Sequence, residues 1–233
     1  MNLHELPSSC FCSMFRPPFI SRLLRSLAFA GVTLALASVA MAQSVGRATD
    51  DFPNLRYNKS DTPFGHLVAD ALLAQSGADC AIINAGSFKS GTLEAGPIES
   101  TDLEALLSFS ADDVATLSIS GAQLKAALER GVSALPTGVP VFLQVAGLRG
   151  NVDAKQDPGK RVSGVTVRGK ALDDGATYSV VMPSSLAEGA AGYFNIWNGA
   201  QKRATGATLL QGLTAYIGSK GDIAPDTQAR FTG

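Results

Sequence analysis

The run Cys80-Ala81-Ile82-Ile83-Asn84, which passes directly into the small-residue turn Ala85-Gly86-Ser87, constrains this chain more than any other segment. A short apolar run bounded by turn chemistry predicts a buried strand of about five residues. Just before it, Thr62-Pro63 offers an N-cap followed by proline at the first helical position. Leu67, Val68, Ala71 and Leu72 then recur at helical spacing until Gly77. A capped helix leading into a buried strand asks for a sheet covered by helices. The turn that ends the strand presents one amide, Asn84, and one cation, Lys89, around Gly86, the way a phosphate cradle begins.

The pattern continues downstream. Ser100 to Glu104 contains a Thr-x-x-Glu capping box, and the short helix it predicts runs toward Phe109. A strand is expected over about 114–118. Ser120-Gly121-Ala122-Gln123 is a second capping box, opening a helix with Leu124, Ala127 and Leu128 on one face and closed by Gly131. The second half changes period: Phe142 to Val145, Val162 to Val167 and Tyr178 to Met182 read as strands, separated by Asp157-Pro158-Gly159 and Asp173-Asp174-Gly175 turns. Leu209, Leu210, Leu213, Tyr216 and Ile217 mark a last amphipathic helix. Together these predict an α+β fold with one principal mixed β-sheet packed with several α-helices.

Residues 1–42 read as a signal peptide. Arg22 and Arg25 precede an apolar run, and Ala40-Met41-Ala42 supplies the small-x-small cleavage pattern, so the protein is expected to be periplasmic or secreted. The run is shorter than the roughly 20 residues a spanning helix needs, so no membrane attachment is expected after cleavage. Residues 43–60, polar and irregular, are expected to form a linker or N-terminal arm, with the domain itself at 61–233. Beyond position 42 the chain holds 16 basic and 19 acidic residues, a balance that suggests no nucleic-acid partner. Cys80 is the one cysteine in that region, so no internal disulfide is expected there.

His66 is the one histidine beyond position 42. A binuclear metal centre draws several histidine and carboxylate ligands from separate loops, and a Ser-His-Asp site would have to use His66 without any Gly-x-Ser-x-Gly elbow. No metal, cofactor or catalytic residue is therefore expected, and His66 reads as a capping or packing residue.

From about Phe64 to Tyr193 the chain resembles the C-terminal domain of the 5'-nucleotidase family. The resemblance rests on Gly65 to Ala71, Asn84 to Lys89, Ala95 to Ile98, Leu107 to Phe109, Ser120 to Lys125, Phe142 to Leu148, Pro158 to Val162 and Gly192-Tyr193. In that family an N-terminal metallophosphoesterase domain carries the metals and the catalytic residues, and this C-terminal domain binds the nucleoside. The resemblance implies substrate binding by Asn84, Gly86, Lys89 and Phe109. Lys89 stands where the family has arginine, which keeps charge and loses the bidentate fork. Phe109 stands for one ring of the base sandwich and is equally readable as packing. The second ring and the ribose-binding aspartate match Ser185 and Ala191, which leaves Tyr193 or Phe194 to turn into the ring position, although a tyrosine after Gly192 reads first as a core residue.

Three readings follow from the residues. The first is an exported, catalytically incomplete module that weakly binds a nucleotide or small phosphorylated ligand, beside a separate metallophosphoesterase subunit, in nucleotide catabolism. The second is a structural or protein-interaction module with a decayed nucleotide pocket. The third, a self-sufficient hydrolase, requires Asp70, Asp112 or Asp113 to converge.

Overall fold

A computed structural model describes residues 44–233. The expected signal peptide lies outside the described residues. In chain order the elements are β1 (Gly46–Ala48), β2 (Phe52–Pro53), α1 (Pro63–Ser76), β3 (Cys80–Asn84), β4 (Thr92–Leu93), β5 (Gly96–Ile98) and α2 (Ser100–Leu106). They continue with β6 (Asp113–Ser120), α3 (Gly121–Val132), β7 (Leu143–Ala146), β8 (Leu148–Val152), β9 (Val162–Val167), β10 (Lys170–Ala171) and β11 (Thr177–Pro183). The last are the short α4 (Ser184–Ala187), β12 (Gln201–Thr208), α5 (Leu209–Lys220), β13 (Asp222–Ile223) and β14 (Phe231–Thr232).

The buried run of β3 lies inside a five-stranded sheet of order β12-β6-β11-β3-β7. β3 pairs parallel to β11 and antiparallel to β7, so the sheet is mixed as expected. All five β3 residues are buried, because both faces are covered. Alternation along the strand divides them: Ala81 and Ile83 join α1 and α5 in one core, and Cys80 and Ile82 join α3 and β9 in the other. The α+β class holds.

Local chemistry explains most helix ends. Thr62 Oγ1 accepts from the Gly65 amide at 3.1 Å, Pro63 sits at the first turn, and Gly77 closes α1 in the left-handed region. Ser120 and Gln123 form the expected reciprocal box at the start of α3. α3 then continues through Gly131 to Val132, and Gly131 packs against Leu143 instead of ending the helix. The cap of α2 also differs from expectation. Glu99 precedes the helix and its amide donates to Asp102 Oδ2 at 2.8 Å, which places Thr101 and Glu104 inside.

Two larger expectations are corrected. The strands after β7 build a second sheet, order β10-β9-β8-β14, and do not all join the first. Gly147, at φ 72°, turns the chain between β7 and β8 where a side chain would meet the Asp79 carbonyl at 2.7 Å. The part of the expected arm that lies within the described residues, 44–60, is not loose: β1 pairs with β13 and β5, β2 pairs with β4, and Ala48 and Phe52 enter the α1/α5 core. Pairing this short leaves little alternation to read. Asn54 completes the attachment, donating to the Lys89 carbonyl at 2.9 Å and accepting from Thr62 Oγ1 at 2.7 Å.

Two buried polar hubs fix the start and end of the described fold. Gln144 on β7 is fully buried; Nε2 donates to the Tyr57 and Ser60 carbonyls at 2.9 Å each, and Oε1 accepts from the Thr62 amide at 3.1 Å. Arg230 donates to the Val145 carbonyl at 2.5 Å and to Asp70 Oδ2 at 2.7 Å, and Asp61 Oδ2 accepts from the Arg230 and Phe231 amides at 2.6 and 3.1 Å.

Gln144→Leu leaves a buried amide and two part-buried carbonyls without their partner, and we expect a loss of about 2–4 kcal/mol in urea unfolding. A loss below about 0.5 kcal/mol, the size of an ordinary surface substitution, would show that the hub contributes little. Burial opposes the charge on Asp61, but the hydrogen bonds donated by the Phe231 and Arg230 amides favour it, and the carboxyl is held below its ordinary value of 3.8. As pH falls through 3.8 the unfolded chain protonates Asp61 first, so its contribution, complete well above that value, is lost toward the lower folded pKa. Asp61→Asn is therefore expected to be less stable at neutral pH and to show a shallower acid limb between about pH 5 and 2. Parallel pH–stability curves for the two proteins would refute this.

Candidate functional site

At the end of β3 the chain makes a tight turn over Ala85–Ser87. Asn84 is 6% exposed and faces inward: Oδ1 accepts from Ser87 Oγ at 3.3 Å, and Nδ2 reaches the Pro140 carbonyl at 3.5 Å, the long limit of such a bond. The Gly86 amide donates to the same carbonyl at 3.1 Å. A Cβ on Gly86 would lie 2.8 Å from Asn84 Nδ2, so glycine is what lets the turn close over this side chain. Asn84 and Gly86 thus build the turn against the Pro140 loop. That differs from the ligand-facing amide the resemblance implies.

Lys89 and Phe109 lie on the two segments that this turn brings together. Phe88 bridges Leu107 in antiparallel fashion, the Ser108 amide donates to the Ser87 carbonyl at 2.9 Å, and the Lys89 amide donates to the Leu106 carbonyl at 2.9 Å. The contact runs from the Lys89–Leu106 bond to the Ser87–Ser108 bond, so Lys89 lies at one end of it and Phe109 just beyond the other. Both side chains are outside: Lys89 is exposed and makes no ion pair among the described residues, and Phe109 is 62% exposed. None of the four residues lines the cavities of about 620, 190 and 300 Å³ that open elsewhere in the described fold. The site is an open surface.

The missing second ring is also resolved. Ser185 Oγ donates to Asp112 Oδ2 at 2.5 Å and its amide to Oδ1 at 3.3 Å, tying α4 to the turn that follows Phe109. Ala191 sits at φ 55°, an uncommon conformation for a residue with a Cβ, and Arg130 Nε donates to its carbonyl at 3.0 Å. Tyr193 is a core residue: fully buried, stacked on Trp197 at 5.5 Å, beneath the Arg130 guanidinium, with its hydroxyl donating to the Val141 carbonyl at 2.7 Å. Burial pushes that phenol up, so it stays a neutral donor. Phe194 is the free ring, 62% exposed.

Other chemistry is occupied. Asp70 pairs with Arg230 and Asp112 with Ser185, and among the described residues no three His, Cys, Asp or Glu side chains converge to hold a metal ion. Burial pushes the Cys80 thiol up and keeps it unreactive. His66 packs inside α1 at 2% exposure, as expected of a packing histidine. The Asp112–Ser185 pair and Arg130 escape sequence reading, because their partners lie 73 and 61 residues away with no local motif to announce them.

Compared with known proteins, residues 44–198 match the family model described as 5'-nucleotidase, C-terminal domain. The chain is 30% identical over 161 residues to a snake venom 5'-nucleotidase from Naja atra, covering 64% of this chain and 30% of that protein. It is 29% identical over 212 residues to a 5'-nucleotidase-related protein from Glossina morsitans morsitans, covering 81% and 38%. It thus spans well under half the length of these relatives. Among solved structures, the 5'-nucleotidase precursor from Thermus thermophilus matches with a TM-score of 0.76 at 26% identity, over 82% of this chain and 39% of that one. The NAD nucleotidase of Haemophilus influenzae matches with a TM-score of 0.72 over 82% and 38%, a likeness of fold at 19% identity. The helix-covered mixed sheet, the Asn84 turn beside Phe109 and these matches agree: the chain belongs to the 5'-nucleotidase C-terminal domain family.

Proposed function

We propose that this protein is an exported, catalytically incomplete half-site that weakly binds a nucleotide or small phosphorylated ligand and works beside a separate metallophosphoesterase subunit in nucleotide catabolism. The observation that carries the reading is the pairing of an exposed ring, Phe109, with an exposed cation lacking an ion pair among the described residues, Lys89, on segments joined at Ser87 and Ser108. Phe194 adds a second exposed ring: Ser185 of α4 is bonded to Asp112 in the turn after Phe109, and Gly189, just beyond α4, abuts Phe194. An aromatic face contributes about 1–3 kcal/mol per stacked base, and one cation adds less than that on an exposed surface. Together they suit millimolar affinity, about −4 kcal/mol, which a partner surface would have to raise. An unwalled surface is what half of a shared site looks like when the other half is absent.

A protein-interaction module is the second reading. It is favoured by the inward turn of Asn84 and by the exposure of Phe109 and Phe194, which are also suited to a protein contact.

Titration of the purified protein with AMP, adenosine and phosphate separates the two. Saturable millimolar AMP binding is expected, weakened about tenfold by Phe109→Ala, with Lys89→Ala weakening AMP about fivefold and leaving adenosine unchanged. No saturable signal from any of the three would remove the ligand reading and leave the interaction module. Export has its own check: mass spectrometry of the protein recovered outside the cytoplasm is expected to begin at Gln43, and an intact Met1 start there would refute cleavage.

A further inference from the structure

A cavity of about 620 Å³ opens between the central sheet, α3 and the second sheet, and none of Asn84, Gly86, Lys89, Phe109 or Phe194 lines it. Its volume lies within the roughly 300–1,000 Å³ of small-molecule sites. The wall is apolar, with Leu128, Val132, Phe142, Leu143 and Val162 all buried. Such a wall offers a sugar's hydroxyls few partners, so its chemistry is unlike that of the proposed nucleotide surface.

One polar group on the wall is unpartnered. The His66 ring is 2% exposed, and Nδ1 lies 3.0 Å from the Asp226 carbonyl, which can only accept, so the neutral ring carries its proton on Nδ1. Nε2 then offers a lone pair that has no hydrogen-bond partner among the described residues. Asp61 Oδ2, at 3.6 Å, is an acceptor already serving the Arg230 and Phe231 amides. His66 lines the cavity, and a donor entering from it would satisfy this buried acceptor.

Charge at the rim points the same way. Arg56, Lys59 and Lys155 are exposed there, and none makes an ion pair among the described residues. The acids beside them are committed: Asp61 to backbone amides, Asp226 to Arg230 at 3.2 Å, and Asp153 to the Lys155 amide and Gln156. Asp61 and Asp153 keep their charge, so three cations without an ion pair among the described residues stand against two carboxylates and the rim stays net positive. We propose that this cavity is a second ligand site, for a compact molecule with an apolar body, one anionic group held by Arg56, Lys59 and Lys155, and an N–H or O–H donor that meets His66 Nε2.

Anilinonaphthalene sulfonate carries all three features and is the probe. With the purified protein its fluorescence is expected to rise saturably at one-to-one stoichiometry, and decanoate is expected to compete while decanol at equal concentration competes far less. Arg56→Glu with Lys59→Glu, both on the surface, should weaken the probe about tenfold with the thermal melt unchanged, and Lys155→Glu on a separate loop should act in the same direction. Phe109→Ala should change nothing. The site is refuted by the absence of saturation, by indifference to both charge reversals, or by loss of the signal in Phe109→Ala, which would place the probe on the exposed rings.

Discussion

Much of the molecule hangs on one amide. Gln144 sits in an edge strand of the central sheet, yet its carboxamide reaches across to close the loop that leads into α1. The same strand pairs through Leu143 with Asn84, so the turn carrying Gly86 and the entry to α1 share one support. Because three backbone groups, one of them buried, share this single side chain, the hub helps to set the position of the helix start. The cavity wall, His66 and Asp61 inherit that position.

The distribution of order follows from this. Polar groups deep in the fold, such as Asn54, Gln144, Glu129 and Arg230, have partners, whereas the aromatic and cationic groups near the Asn84 turn face outward without enclosing walls. Here the turns at 84–89 and 107–112 are pinned by backbone hydrogen bonds to each other and to the start of α5, so the exposed rings and Lys89 rest on a fixed base.

The fold was largely legible in the sequence because its helices announce themselves by caps and its buried strands by apolar runs. Thr62-Pro63, Ser120 to Gln123 and Cys80 to Asn84 each stand where the local chemistry puts them. β12 escaped because an exposed edge strand, Gln-Lys-Arg-Ala-Thr-Gly, has no apolar alternation to read. β1 and β2 escaped because two or three residues are too few for a period. At the site, Lys89 and Phe109 were readable from resemblance and are found outside, while Asn84, equally matched, turns inward. A motif fixes which residues meet, but the Pro140 loop that Asn84 leans on is remote in sequence and carries no signature of doing so.

Ala191 has a consequence of another kind. Its backbone lies in the left-handed region, a conformation that costs alanine something and suits aspartate or asparagine better, and Arg130 holds it there by its carbonyl. The turn therefore has a shape suited to the aspartate that the family resemblance places at this point. An aspartate in place of Ala191 would find the backbone already in a conformation it tolerates, so the loop would need no rebuilding. What separates this chain from the family's pattern here is a substituent, while the scaffold that would present it is already in place.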